Sequence, residues 1–126
     1  MDKKLEDLIP ALEELLSKED YSGFYIGKTD DCNSRKCDHH NEGLALFWEF
    51  AKGKSEAINQ GEIDLINYFK QESPLKDKCL NENKGGAGNT EATHLYVAAK
   101  FNNEILLTID DLHDDVINPF EPLIKL

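Results

Sequence analysis

Leu5, Leu8, Ile9, Leu12, Leu15 and Leu16 recur at helical spacing with acids and lysines between them, so residues 2–18 read as an amphipathic helix against a core. Pro10 lies inside that stripe and should end or kink a turn, which argues for a start near it. The next apolar run, Phe24-Tyr25-Ile26, consists of strand formers and closes on Gly27, predicting a strand over 23–28. Thr29, Asp30 and Asp31 carry side-chain acceptors that cap free amides and suit the positive end of a helix dipole, so a helix is expected to begin near Asp30. Residues 44–51, bracketed by Gly43 and Gly53, suit a buried strand, with a helical reading also open.

Farther on, Ala57, Ile58, Ile63, Leu65, Ile66 and Phe69 give 55–72 an apolar helical face, and Pro74 marks its stop. Residues 74–89 read as loop, crowded with Asn81, Asn83, Gly85, Gly86, Gly88 and Asn89. Two strand-like runs, 94–101 and 104–109, flank Asn102-Asn103 and predict a hairpin. Asp110 and Asp111 suit the cap of a short helical piece, and Pro119 and Pro122 break up the tail. These elements predict an α+β fold: a small, mainly antiparallel sheet of 23–28, 44–51 and the 94–109 hairpin, flanked by helices at 4–18 and 55–72.

Length changes this picture little. A chain of 126 residues with 40% hydrophobic content suits one globular domain. No apolar run is long enough to span a membrane and no signal-peptide core follows the charged start, so a cytoplasmic protein without a membrane partner is expected. Three cysteines, an odd number, read as reduced thiols.

Charge matters more. The formal net charge of -11 argues against non-specific nucleic-acid binding, which draws on Lys and Arg. Yet the excess lies in the flanks: residues 1–20 carry -4 and 101–126 carry -5, leaving only -2 on 21–100. Among thirteen lysines there is a single arginine, Arg35. A planar, bidentate guanidinium suits a phosphate and its pentavalent transition state better than a lysine does. His39 follows four residues later, on the same helical face and within reach of a common ligand.

Other chemistry is weaker. Cys32, Cys37, Cys79, His39 and His40 are zinc-type ligands, but no CxxC pair is present, and Cys32 and Cys37 would point roughly 140° apart on a helix. The acids around His113 (Asp110, Asp111, Asp114 and Asp115) are better explained by capping and solvation.

The run Tyr25-Ile26-Gly27-x-Thr29, with Arg35 six residues after the threonine and His39 four after the arginine, resembles the GIY-YIG nuclease family. The resemblance extends to Glu62 and to the run 81–89, so it covers roughly 21–90. It implies one GIY-YIG-like domain over 1–126, with an added N-terminal helix (about 2–18) and a C-terminal hairpin and tail (about 93–126). It also implies metal-dependent endonucleolytic hydrolysis of DNA. Tyr25 would hold or deprotonate the attacking water, Arg35 would neutralise charge on phosphorus, and His39 would hydrogen-bond within the site. Glu62 would hold Mg2+ or Mn2+, and Asn81, Asn83 or Asn89 would supply the family's asparagine. The family's first strand, which bears the GIY tyrosine, has no counterpart before residue 21. Tyr96 is the candidate to fill that slot from a later strand, with Tyr21, four residues before Tyr25, as competitor. The alternative is a catalytically inactive binding or interaction module whose acidic flanks meet a protein partner.

Overall fold

The computed structural model describes residues 1–82, 90–102 and 118–126. Helix α1 (Lys3–Leu16) leads into β1 (Tyr21–Thr29), α2 (Cys32–Asn41), β2 (Leu46–Lys52) and α3 (Ser55–Gln71). A single 3-10 turn, β3 (His94–Phe101) and a two-residue β4 (Ile124–Lys125) follow. The sheet order is β1-β3-β2-β4. β3 runs antiparallel to both β1 and β2, and β4 lies parallel to β2. The fold is therefore α+β, with a small mixed sheet that is mainly antiparallel. Among the described residues no helix is long and apolar enough to cross a membrane.

Helix α1 does not wait for Pro10. It starts at Lys3, where the Asp2 side chain accepts from the Lys4 amide at 2.8 Å. Pro10 removes the donor to the Glu6 carbonyl, but both residues are on the exposed side of the helix, where solvent can serve that carbonyl. Helix α2 starts two residues later than Asp30. Asp31 is its N-cap, accepting from the Ser34 amide at 3.1 Å, and Thr29 Oγ1 accepts from the Asp31 amide at 3.0 Å. Residues 46–52 are strand, which removes the helical reading of that run. The second half of the expected hairpin, 104–109, and the acids around His113 lie outside the described residues; β3 itself is an inner strand, paired with β1 on one side and with β2 on the other.

Strand alternation divides the sheet into two faces. Phe24, Ile26, Trp48, Phe50, Leu95, Val97 and Ala99 point at α1 and α3, where Leu5, Ile9, Leu12, Leu16, Ile58, Leu65, Ile66 and Phe69 complete the main core. Burying each of the larger side chains stabilises the fold by about 1.5–3 kcal/mol. Ala57 and Ile63, expected on the apolar face of α3, are only partly buried, while Glu62 is buried. On the opposite face Leu44, Tyr96 and Ala98 form a second cluster with Tyr25 and Phe47.

Candidate functional site

The second face is where the chemistry-bearing residues meet. Gly27 and Tyr96 are cross-strand partners, and Tyr25 stands two residues before Gly27 on the same face. A Cβ at position 27 would fall on the Tyr96 hydroxyl and within 2.8 Å of the Tyr25 ring. The glycine is thus required for space: the Tyr96 phenol lies across its backbone. Helix α2 then crosses this face. His39, its one buried residue, packs tilted against the Tyr25 ring with centroids 4.9 Å apart, and its Nε2 is 2.7 Å from the Tyr96 hydroxyl. Phe47 of β2 stacks on Tyr96 at 4.3 Å.

Arg35 sits one turn before His39 and keeps its guanidinium partly exposed, 3.4 Å from Asp38 Oδ2. Burial works against its charge, but hydrogen bonding to Tyr96 and the nearby Tyr25 and Asp38 more than offset this, leaving its pKa raised. Burial raises the Tyr96 pKa far above its ordinary value of 10.0, with Arg35 opposing. Tyr25 is raised by burial and then by Glu62, again with Arg35 opposing. Both tyrosines are therefore neutral phenols at neutral pH, hydrogen-bond donors rather than standing bases.

His39 is also neutral: burial, followed by Arg35, lowers its pKa from 6.5. Its Nε2 is engaged by the Tyr96 hydroxyl, while Nδ1 is buried without a hydrogen-bond partner and faces Glu42 Oε2 at 3.8 Å, an electrostatic contact too long for a hydrogen bond.

Glu62 belongs to the other face. It is 6% exposed on α3, not a solvated helix acid, and its carboxylate lies 3.7 Å from the Lys28 ammonium. Its charge nevertheless reaches Tyr25 and Tyr96 around β1. Tyr25, Arg35, His39 and Tyr96 thus form one cluster, with Glu62 at its margin. Tyr21 is elsewhere. β1 reaches back to it, but a bulge between Tyr21 and Gly23 changes the strand's parity, and the ring packs in the main core against Trp48 and Phe101.

Of the three asparagines, Asn83 and Asn89 lie outside the described residues. Asn81 is buried, accepting from the Ile26 amide at 2.9 Å and donating to the Ile26 carbonyl at 2.8 Å, while the Leu80 amide donates to the Phe24 carbonyl at 2.7 Å. This contact fixes the strand that carries Tyr25. Asn81 was one of the three asparagines the resemblance offered, but its clamp on β1 was not foreseen, nor were Lys28 and Asn59; an amide donor and acceptor on one side chain was the available signal for the clamp.

The thiols offer little. Burial and the Glu49 carboxylate push Cys32 up to about 12, so it stays protonated. It lines a cleft of about 190 Å³ with Lys36, Glu49, Asn118 and Glu121, on another face of α2 from Arg35. Among the described residues no three His, Cys, Asp or Glu side chains converge as a metal cluster. The chain matches no family model, no curated protein and no solved structure.

Proposed function

We propose that this chain is a GIY-YIG-type phosphodiester hydrolase acting on DNA, with the family's first strand moved from the start of the domain to its end as β3. One observation carries the reading. The chain's single arginine lies near enough to Tyr25 and Tyr96 for its charge to act on both, while His39, one turn on, is hydrogen-bonded to Tyr96. Such an arrangement presents one cation and one half-exposed phenol to a ligand and fixes both from beneath.

In this reading Arg35 donates to the phosphate oxygens and stabilises the added charge as water attacks phosphorus. Tyr25, partly exposed, holds that water. One P–O ester bond breaks as the new P–O bond forms, and the water's proton leaves to solvent or to the departing alkoxide. Tyr96 is fully buried and His39 is 2% exposed, so both act by positioning Arg35 and Tyr25. Glu62 would be the protein ligand of Mg2+ or Mn2+. A lone carboxylate suits the magnesium habit of retaining several waters. When bound, that cation would supply Lewis-acid stabilisation of the phosphate.

Plasmid and oligonucleotide substrates incubated with and without magnesium or manganese test the proposal. Metal-dependent cleavage that is lost in Arg35→Ala is expected; equal cleavage by Arg35→Ala would sink it. The burial of Tyr96 and His39 also favours a second reading, a non-catalytic module that grips a phosphate or a protein partner. Binding of an oligonucleotide by the wild-type protein, lost in Arg35→Ala, with no cleavage under any metal condition, selects that alternative.

A further inference from the structure

Three lysines gather at one end of the sheet. Lys52 and Lys125 are register partners on β2 and β4, Lys52 is also paired with His94 on β3, and His94 with Thr29 on β1. Directly paired residues share a sheet face, and His94 stands two residues before Tyr96, so this row lies on the face of Tyr25 and Tyr96, about 7 Å along β3 from Tyr96. Arg35 joins that face from the same end, because α2 begins at Cys32, just after β1 stops at Thr29. With Lys54, the row lines a cleft of about 420 Å³ closed by Thr93 and Leu126. Main-chain bonds hold its walls: the Thr93 amide donates to the Thr29 carbonyl at 3.1 Å, the Gly53 amide to the Thr93 carbonyl at 3.0 Å, and the Leu126 amide to the Lys52 carbonyl at 2.8 Å.

The charge of this cleft is the reverse of the chain's. Acids outnumber lysines and arginine by 25 to 14 in the sequence, yet no Asp or Glu lines the cleft; Glu49, Glu56 and Glu91, close in sequence to its walls, all lie outside the lining. Lys52, Lys54 and Lys125 are exposed and make no ion pair among the described residues. Even with a terminal carboxylate at Leu126 set against them, three ammoniums keep the lining positive. We infer that this cleft holds the sugar–phosphate backbone of a nucleic-acid strand next to the phosphate gripped by Arg35, so that the strand leaves α2 toward the β2–β4 end of the sheet. The inference rests on the nucleic-acid reading of the Arg35 site. A strand carries a charge about every 3.4 Å of its axis, so the 7 Å step along β3 corresponds to about two nucleotides, and one continuous polyanion meets both cationic places on one face. The acidic remainder of the chain repels such a ligand elsewhere, which leaves this row to set its direction.

Salt dependence counts the phosphates engaged, because each neutralised phosphate contributes about 0.9 to the slope of log affinity against log salt for duplex DNA and about 0.7 for a single strand. The probe is a fluorescein-labelled oligonucleotide of mixed sequence, titrated with the full chain in EDTA across a KCl series. Lys52→Gln/Lys54→Gln/Lys125→Gln should lower the slope by about 2 to 3. Lys18→Gln/Lys76→Gln/Lys100→Gln removes the same charge from exposed positions elsewhere, Lys100 at the other end of β3, and should leave the slope unchanged. No fall in the first variant, or an equal fall in both, overturns the inference, as does absence of binding by the wild type. Polyglutamate that competes as well as unlabelled oligonucleotide at equal charge also overturns it, in favour of an acidic protein partner. Should the first variant fail to fold by circular dichroism, Lys52→Gln alone must lower the slope by about 0.7–0.9, and an unchanged slope overturns the inference. Cleavage with magnesium is scored separately: a lysine-dependent slope without cleavage sinks the hydrolase reading and leaves the strand path standing, whereas Arg35-dependent cleavage with an unchanged slope does the reverse.

Discussion

The two faces of the sheet are built by different means. Toward α1 and α3 the contacts are aliphatic and aromatic, and each helix turn adds another buried leucine, isoleucine or phenylalanine. Toward α2 the helix supplies no apolar stripe; His39 is its one buried residue, and the joint is a phenol–imidazole hydrogen bond with a tilted ring contact to Tyr25. The first face can hold the fold through non-directional burial. The second depends on directional contacts between a few polar groups, which is the condition for aiming a guanidinium and a phenol. Stability and site geometry therefore reside on opposite sides of one sheet.

Mutation should separate them. The largest effect is expected from Phe69→Ala in the main core, a loss of about 3–5 kcal/mol in denaturant unfolding. If the proposed hydrolase reading holds, Arg35→Ala should give the inverse result: about a hundredfold less cleavage, corresponding to about 3 kcal/mol in the transition state, with little change in the denaturation midpoint. Gly27→Ala sharpens the boundary, because its methyl group would strike the Tyr96 phenol. It should cost about 1–3 kcal/mol in stability, and Tyr96→Leu in the same chain should relieve part of that loss. Tyr96→Phe should cost only about 1 kcal/mol and free His39 Nε2 of its partner, read from its imidazole nitrogen shifts by NMR.

The pH effect is the smallest. The folded pKa of His39 is depressed, so its unfolded form binds the proton first. Its contribution to stability should be complete above about pH 6.5 and decline as the pH falls through the folded pKa. Melting curves of wild type and His39→Gln should therefore differ more at pH 7.5 than at pH 5; a constant difference would remove the burial account.

Much of the first face was legible because its period is simple. Leu5, Ile9, Leu12, Leu16 and the inward positions of α3 follow helical spacing, and Phe24 and Ile26 follow strand alternation. On the second face, Arg35 and His39 were legible as neighbours because helical spacing alone brings them together. Tyr21 was misleading because a bulge changes parity without a residue that announces it. Pro10 was misleading because its cost depends on whether the orphaned carbonyl meets water. Glu62 could not be read as buried, since its burial depends on Lys28, 34 positions earlier in the chain. Local pattern carries no record of such a pairing.

The Asn81 clamp bears on association between molecules. Among the described residues β1 is the outermost strand of the sheet, and an outermost strand offers its free amides and carbonyls as a template to any extended chain. At Ile26 both of those groups are already engaged by one carboxamide, and the Phe24 carbonyl by Leu80. A side chain imitating a peptide group thus seals the middle of that border against strand addition, leaving a second copy no continuous ladder along β1 on which to grow a shared sheet.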